Sequence, residues 1–327
     1  MSNISSDTTP RIASLLPSAT EIVCALGLED VLVGVTHECD FPPSVVSKPK
    51  LTASRLSHET MTSREIDEAV RGELRGQQSH EGHASIYTLD ERLLHELKPD
   101  LILTQELCDV CAVSFKIVSR AARMFETEIP IVSLEPTTIT DILDTIRTVG
   151  KFTNREQAAE AVAQDLAIRI DNLAAKLADV ERRPRTLMLE WLEPPFAPGH
   201  WVPEQVALAG GDATFGAAGK PSTETTAEAI KDYAPEVIVL VPCGYYIEDI
   251  LRELETARLP SGWSELPAVK NNQVWVVDAT SYFSRPGPRV VDGAEILASI
   301  LHPEFFGEPS EAQAVRVPTG LMRAHTI

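Results

Sequence analysis

The sequence has no run of about 18 apolar residues, the length that a helix needs to cross a membrane. Its first residues, MSNISSDTTPR, also lack the basic and then apolar pattern of a secretory signal peptide. We therefore expect a protein that does not span a membrane. We expect it to be cytoplasmic, or periplasmic or exported if a signal peptide has been removed.

Basic residues are outnumbered: 29 Lys and Arg stand against 48 Asp and Glu, and the formal net charge is −19. A polyanion would meet a repulsive field, so we expect no nucleic-acid partner. The five cysteines are an odd number in a long chain. They fit a reducing compartment with free or metal-bound thiols better than a framework of disulfides.

Sequence motifs of common enzyme classes are missing, with no P-loop, no GxSxG and no HExxH. Ser18, in the segment PSATE, is interpreted as the start of a helix and not as a nucleophile. Glu190 could act as an acid or a base, but the sequence assigns it no partner. These absences favour ligand binding over catalysis without excluding an enzyme.

The most informative segment covers residues 99 to 114, PDLILTQELCDVCAVS. The apolar run from Leu101 to Leu103 predicts a buried parallel strand, and the polar residues after it predict a loop. Cys108 and Cys111 lie in that loop at CxxC spacing. Ligands of open α/β sheets bind at the carboxyl ends of strands, so the loop is a candidate binding element.

Three segments of the first half resemble three segments of the second half, in the same order. This order predicts two similar α/β lobes joined by a long helix, with a ligand cleft between them. The pairs are EIVCALG and EQVALAG, LHELKPDLILTQ and IKDYAPEVIVLV, and IPIVSLE and NQVWVVD. The predicted boundaries are 11–138 for the N-terminal lobe, 139–180 for the connecting helix, 184–306 for the C-terminal lobe and 307–327 for a loosely attached extension.

Six motifs follow one another in the order PSATEIVCALG, GVTHECDFPP, LKPDLILTQ, EPPFAPG, AVKNNQVWVVD and SRPGPR. Together they resemble the cobalamin-binding proteins of corrinoid importers. Those proteins belong to the helical-backbone class of ABC-transporter substrate-binding proteins, which also includes haem and siderophore binders. The resemblance covers about residues 11–306. It implies two doubly wound α/β lobes, a cobalamin-like corrinoid or related metal-tetrapyrrole in the cleft, and ABC-transporter membrane subunits as candidate partners.

The resemblance also implies roles for individual positions. Gln105 stands where an aromatic residue is common in the family. Arg285 would suit amide or carboxylate oxygens of a ligand. The positions carried over as pocket residues are Glu38, Phe41, Tyr87, Gln105, Phe196, Phe283 and Arg285, and those carried over as docking residues for the membrane partner are Glu91 and Glu228.

Aromatic residues are concentrated in the second predicted lobe, which fits a flat, partly apolar ligand stacked on one wall. Trp191 and Tyr245 are therefore further ligand-binding candidates, together with Glu190 at the end of a predicted strand. Trp275 lies inside the predicted strand QVWVVD and is assigned to the core.

Four thiols and one imidazole are predicted at carboxyl ends of strands, on one rim of the cleft. Such groups select zinc, copper(I) or an iron–sulfur cluster, and His37 could also bind the metal of a tetrapyrrole. Cys24 instead falls on the apolar face of the first helix, as a core thiol. The alternative hypothesis is therefore a cytoplasmic, cysteine-ligated metal or iron–sulfur protein on the same fold, with an enzyme among the options. The predicted metal ligands are His37, Cys39, Cys108, Cys111 and Cys243.

Overall fold

The computed structural model describes residues 10–57, 59–77, 86–105, 118, 121, 129–318 and 321. These residues form two compact units, each built around its own mainly parallel sheet. The first unit takes the described residues of Met1–Ser57, Ala69–Pro136 and Thr140–Leu166, and the second takes those of His58–Glu68, Thr137–Ile139 and Ala167–Ile327.

The described strands are two to four residues long, and the described helices range from 4 to 21 residues. The strands are β1 (Ile12–Ser14), β2 (Leu32–Gly34), β3 (Thr52–Ser54), β4 (Tyr87–Leu89), β5 (Leu101–Thr104), β6 (Ile131–Ser133), β7 (Thr186–Leu189), β8 (Phe196–Ala197), β9 (Thr223–Glu224), β10 (Val237–Leu240), β11 (Val274–Val277) and β12 (Ala314–Arg316). The helices are α1 (Pro17–Ala25), α2 (Ser63–Gln77), α3 (Glu91–Leu97), α4 (Ile139–Phe152), α5 (Glu156–Lys176), α6 (Val202–Leu208), α7 (Ala227–Tyr233), α8 (Ile247–Glu253), α9 (Pro267–Lys270), α10 (Ala279–Tyr282), α11 (Val290–Leu301) and α12 (Pro303–Phe306). None of the helices described is long and apolar enough to cross a membrane.

The sheet of the first unit is parallel, with the strand order β2–β1–β5–β6. Its two central strands are buried on both faces. Ala13 and Ile102 pack with Leu94 of α3 in one cluster, whereas Ile12 and Leu101 are equally buried outside that cluster. Such continuous apolar runs are typical of parallel strands covered by helices on both sides.

The sheet of the second unit has the order β12–β11–β10–β7, with β12 antiparallel to its neighbour. Ile238 and Leu240 of β10 pack in a cluster with residues of α7 and α8, and Val237 and Val239 are buried outside it. Two further antiparallel pairs, β3 with β4 and β8 with β9, lie apart from the main sheets. The predicted α/β fold of two doubly wound lobes is confirmed.

The internal repeat extends to single hydrogen bonds. The backbone N–H of Arg11, before β1, donates to the Asp100 carboxylate at 2.9 Å, and that of Arg185, before β7, donates to the Glu236 carboxylate at 3.2 Å. Each arginine side chain also donates to a carbonyl at the end of a helix that lies later in the chain, α3 for Arg11 and α7 for Arg185. The two helices end alike, at Lys98 (φ 46°) and at its counterpart in the second unit, each followed by proline.

The region predicted as one connecting helix, 139–180, contains two helices, α4 and α5. Between them Asn154 has a left-handed φ of 55°, and the N–H of Arg155 donates back to the carbonyl of Gly150 at 2.8 Å. A side chain on Gly150 would collide with Ala159, so glycine permits the first turns of α5 to pack closely there. The 21 residues of α5 span roughly 32 Å, less than the roughly 39 Å expected for residues 155–180.

The C-terminal residues do not form the loosely attached extension that we expected. Ala314–Arg316 forms an edge strand on β11, and Val317 is buried in the core of the second unit. The guanidinium of Arg316 lies 4.5 Å from the ring centre of Trp275. A strand of three residues is too short for its pattern to predict, which explains the error.

Candidate functional site

The first candidate cluster lies at the carboxyl end of β2, in the loop that carries His37 and Glu38. The phenol of Tyr87 donates to Oε1 of Glu38 at 3.1 Å, and the rings of His37 and Tyr87 are 5.7 Å apart. Thr52 on β3 supports the loop, because its Oγ1 accepts the backbone N–H of His37 at 3.2 Å and lies 2.8 Å from Nδ1. The structure thus brings three predicted ligand residues together.

Burial lowers the pKa of His37, and the positive charge of Lys50 adds to this effect. The carboxylate of Glu38, with Oε1 3.9 Å from Nε2, acts in the opposite direction. His37 is therefore neutral at pH 7 and offers one hydrogen-bond donor and one acceptor.

Cys39, in the same loop, is a buried thiol held by two hydroxyls. Its Sγ lies 3.1 Å from Oγ1 of Thr20 and 3.3 Å from Oγ1 of Thr36. Thr20 already donates to Ser14 at 2.8 Å, so the thiol is the donor toward Thr20. These contacts give Cys39 a structural role, because they join the loop after β2 to Thr20 of α1.

The other candidates of the first unit differ in exposure. Phe41 is 43% exposed at the end of the same loop, as a surface contact requires. Gln105 is buried directly after β5. Glu91 is half-buried in the first turn of α3, after Asp90, whose carboxylate caps that helix.

The second candidate cluster begins with Glu190, which follows β7. Its carboxylate accepts a hydrogen bond from the backbone N–H of Gly199 at 3.2 Å and another from the hydroxyl of Ser222. Gly199 follows β8 and Ser222 precedes β9, so Glu190 ties this antiparallel strand pair to β7. Burial raises the pKa of Glu190 to about 7, although both hydrogen bonds favour its charged form. Glu190 therefore changes its protonation near neutral pH.

Aromatic residues surround Glu190 in sequence and in space. The indole of Trp191 donates to the carbonyl of Ser63 at 3.1 Å, and Tyr245 meets Trp191 edge-on at 5.6 Å. Phe196 is held by a backbone hydrogen bond from its N–H to the Trp191 carbonyl at 3.2 Å. Trp191 and Phe196 are half-buried. Tyr245 is buried in the core, and Trp191 packs against that core.

The last predicted pocket loop follows α10. Phe283 and Arg285 are both buried, and the carbonyl of Phe283 accepts the indole N–H of Trp201 at 2.9 Å. Asp278 caps α10, and burial raises the pKa of its carboxyl group.

Glu228, a predicted docking residue, is exposed in the first turn of α7.

The predicted metal ligands do not form a metal site within the described part of the chain. There, no three His, Cys, Asp or Glu side chains are grouped so that they could hold an ion. Cys243 is exposed after β10, and Cys24 is half-buried on α1, where burial raises its pKa to about 12. Cys108 and Cys111 lie outside the described residues, so a site that includes them stays a prediction.

Three supporting residues were not predicted from the sequence. Thr52, Gly199 and Ser222 each form a hydrogen bond with a candidate residue that lies 9 to 32 residues away in the sequence. Of these three residues, only Gly199 lies in a motif that the sequence analysis singled out, EPPFAPG.

The sequence profile of the periplasmic binding protein family matches residues 12–280. The chain belongs to the periplasmic binding protein family. This membership agrees with the resemblance found in the sequence, and it does not support the cytoplasmic location that we expected. The family is named for binding proteins of the periplasm, which lies outside the cytoplasm.

Individual relatives in this family and solved structures are similar over most of their length. A vitamin B12-binding protein of Vibrio cholerae is 25% identical over 302 residues, which cover 89% of this chain and 88% of that protein. An uncharacterized ABC transporter substrate-binding lipoprotein of Bacillus subtilis is 24% identical over 311 residues, 91% of this chain and 82% of that protein. The crystal structure of a periplasmic heme-binding protein from Pseudomonas aeruginosa has a TM-score of 0.67 at 18% identity, with 90% and 94% covered, and shows that the fold is shared.

Proposed function

We propose that this periplasmic binding protein binds a corrinoid, or a related metal-tetrapyrrole, as the substrate-binding component of an ABC transporter. The observation that carries the proposal is the similarity to the vitamin B12-binding protein of Vibrio cholerae, which extends over 89% of this chain. The aromatic and polar candidates at the carboxyl ends of the strands support it, since ligands of such sheets bind there.

Candidate ligand-binding groups lie in each of the two units. In the first unit His37, Glu38 and Tyr87 provide polar groups at the end of β2. In the second unit the half-buried rings of Trp191 and Phe196 provide apolar surface for a flat macrocycle. Phe41 and Arg285 remain proposed contacts on the basis of the family resemblance.

The proposed location is outside the cytoplasmic membrane, and the proposed partners are the membrane subunits of an ABC transporter. Glu228 is exposed and Glu91 half-buried, and both lie in the first turn of a short helix, α7 and α3. The two helices hold equivalent places in the internal repeat, which supports equivalent docking roles. The alternative of a zinc or iron–sulfur protein has no support among the described residues and is not carried further.

The test is titration of the purified chain with aquocobalamin, dicyanocobinamide and haemin, followed by visible spectra and calorimetry. We expect saturable binding of a corrinoid with one site per chain. Phe196→Ala should weaken it about tenfold, since a buried aromatic contact contributes roughly 1–2 kcal/mol. The matched control is Phe305→Ala, because Phe305 is 54% exposed on α12. Absence of binding of every tetrapyrrole would overturn the proposal.

A further inference from the structure

The hydroxyl of Thr52 contacts His37 twice. It accepts the backbone N–H of His37 at 3.2 Å and lies 2.8 Å from Nδ1 of the same residue. Among the residues that the structure describes, Thr52 makes no other side-chain hydrogen bond. Within this described part of the chain, Nδ1 of His37 is therefore the acceptor for its hydroxyl hydrogen.

This arrangement determines the tautomer of the neutral imidazole. Nδ1 must carry a lone pair to accept the hydrogen of Thr52, so the ring hydrogen is on Nε2. The position of Glu38 agrees, because its Oε1 lies 3.9 Å from Nε2. A carboxylate favours an N–H facing it over a lone pair.

Glu38 is itself held in place beside this N–H. The hydroxyl of Tyr87 donates to Oε1 at 3.1 Å, and the backbone N–H of Glu38 donates to Thr36 at 3.1 Å. A carboxylate has about four lone-pair positions for hydrogen bonds, so the donation from Tyr87 does not by itself exhaust the acceptor capacity of Glu38. The loop thus presents a neutral donor, Nε2–H, next to an anionic acceptor.

Resting on the proposed function, we propose that His37 and Glu38 recognise a carboxamide side chain of the tetrapyrrole, with Thr52 as the positioning residue. The amide oxygen accepts from Nε2 of His37, and the amide NH₂ donates to Glu38. His37 then does not coordinate the metal, because its outward nitrogen carries a hydrogen. The chain should therefore prefer corrinoids, which carry amides, over haem, whose carboxylates Glu38 repels.

The first experiment reads the tautomer without any ligand. Long-range ¹H–¹⁵N correlation spectra of the full chain, labelled on histidine, should show His37 with its hydrogen on Nε2. Thr52→Val should shift His37 toward a mixture of tautomers, and Thr52→Ser, which keeps the hydroxyl, should restore the wild-type pattern. A hydrogen on Nδ1 in the wild type, or an unchanged spectrum in Thr52→Val, overturns the role of Thr52.

The second experiment compares dicyanocobinamide with haemin in the wild type and in Glu38→Gln. The ratio of their dissociation constants should shift toward haemin by at least about fivefold, because the repelling charge is gone. Glu156→Gln is the matched control, since Glu156 is exposed on α5. An unchanged ratio, or an imidazole–metal absorption band that His37→Gln abolishes, overturns the amide assignment. If neither compound binds the wild type, the proposed function and the amide assignment both fail, while the ligand-free spectra still decide the tautomer.

Discussion

The carboxylate of Glu253 accepts two hydrogen bonds from Ser63, one from its backbone N–H at 2.9 Å and one from its hydroxyl at 2.6 Å. Both residues are buried. Ser63 is the first residue of α2, and Glu253 is the last residue of α8. The carboxylate of Glu253 therefore lies at the N-terminus of α2, where the helix dipole favours a negative charge. This contact holds the described part of His58–Glu68 in the second unit.

Glu253→Ala should destabilise the protein by about 2–3 kcal/mol. The substitution leaves the N–H and hydroxyl of Ser63 buried without their acceptor, and hydrogen bonds to charged groups are among the stronger ones. Urea unfolding measures the effect. Glu248→Ala is the control on the same helix, since Glu248 is exposed and should cost no more than about 0.5 kcal/mol. Equal losses in the two variants would contradict the assigned role.

Glu190 predicts a pH dependence of stability. Its pKa is about 7 in the folded chain against 4.5 for an unperturbed glutamate, so the folded state holds the proton more tightly. The stability of the wild type should therefore fall as the pH rises from about 4.5 to 7, by about 2–3 kcal/mol from this group. Glu190→Gln should lack this component, because an amide does not titrate.

The measurement is urea unfolding at several pH values between 5 and 8, for wild type, Glu190→Gln and Glu224→Gln. Glu224 is exposed on β9 of the same strand pair, and its substitution should keep the wild-type slope. The same slope in Glu190→Gln as in the wild type would show that Glu190 ionises normally.

Gly199 and Gly72 predict opposite effects of the same substitution. A Cβ on Gly199 would overlap the backbone nitrogen of Ser222 and lie 2.5 Å from the carbonyl oxygen of Lys220, whereas nothing lies within 4 Å of a Cβ on Gly72. Gly199→Ala should therefore cost about 2–3 kcal/mol by displacing the chain next to the β8–β9 strand pair. Gly72→Ala, on helix α2, should stabilise the chain by up to about 1 kcal/mol.

Thermal and urea unfolding of both variants test this pair. Binding of dicyanocobinamide should also weaken in Gly199→Ala, since Phe196 lies in β8 of this strand pair. A Gly199→Ala chain as stable as the wild type would show that the β8–β9 strand pair can shift without a loss of stability.

The fold was predictable because its signals are local. The apolar run of β5 ends in polar residues, and its counterpart β10 follows the same Pro-containing junction, so both strands could be located from the sequence. The hydrogen bonds of the site are not local: Ser222 is 32 residues from Glu190, and Thr52 is 15 residues from His37. Such partners are selected by tertiary packing, which residue spacing does not reveal.

Orientation was the second quantity that the sequence could not supply. The family resemblance carried over the positions of Phe283 and Arg285, and only the structure shows that both side chains are buried. Tyr245 follows a strand, but its side chain lies in the core, where it packs edge-on against Trp191. A family resemblance predicts the loop in which a residue lies. The packing of that loop determines the orientation of the side chain.

The three described cysteines should react in a definite order with iodoacetamide, because the thiolate is the reactive form. Cys243 is exposed and should be alkylated in the native protein. Cys24, whose pKa burial raises to about 12, and Cys39, which is buried between two hydroxyls, should react only on unfolding. Mass spectrometry of peptides from native and urea-unfolded protein, with Cys243→Ser as control, measures each site separately. Rapid native labelling of Cys39 would contradict its structural role and return it to the metal-ligand candidates.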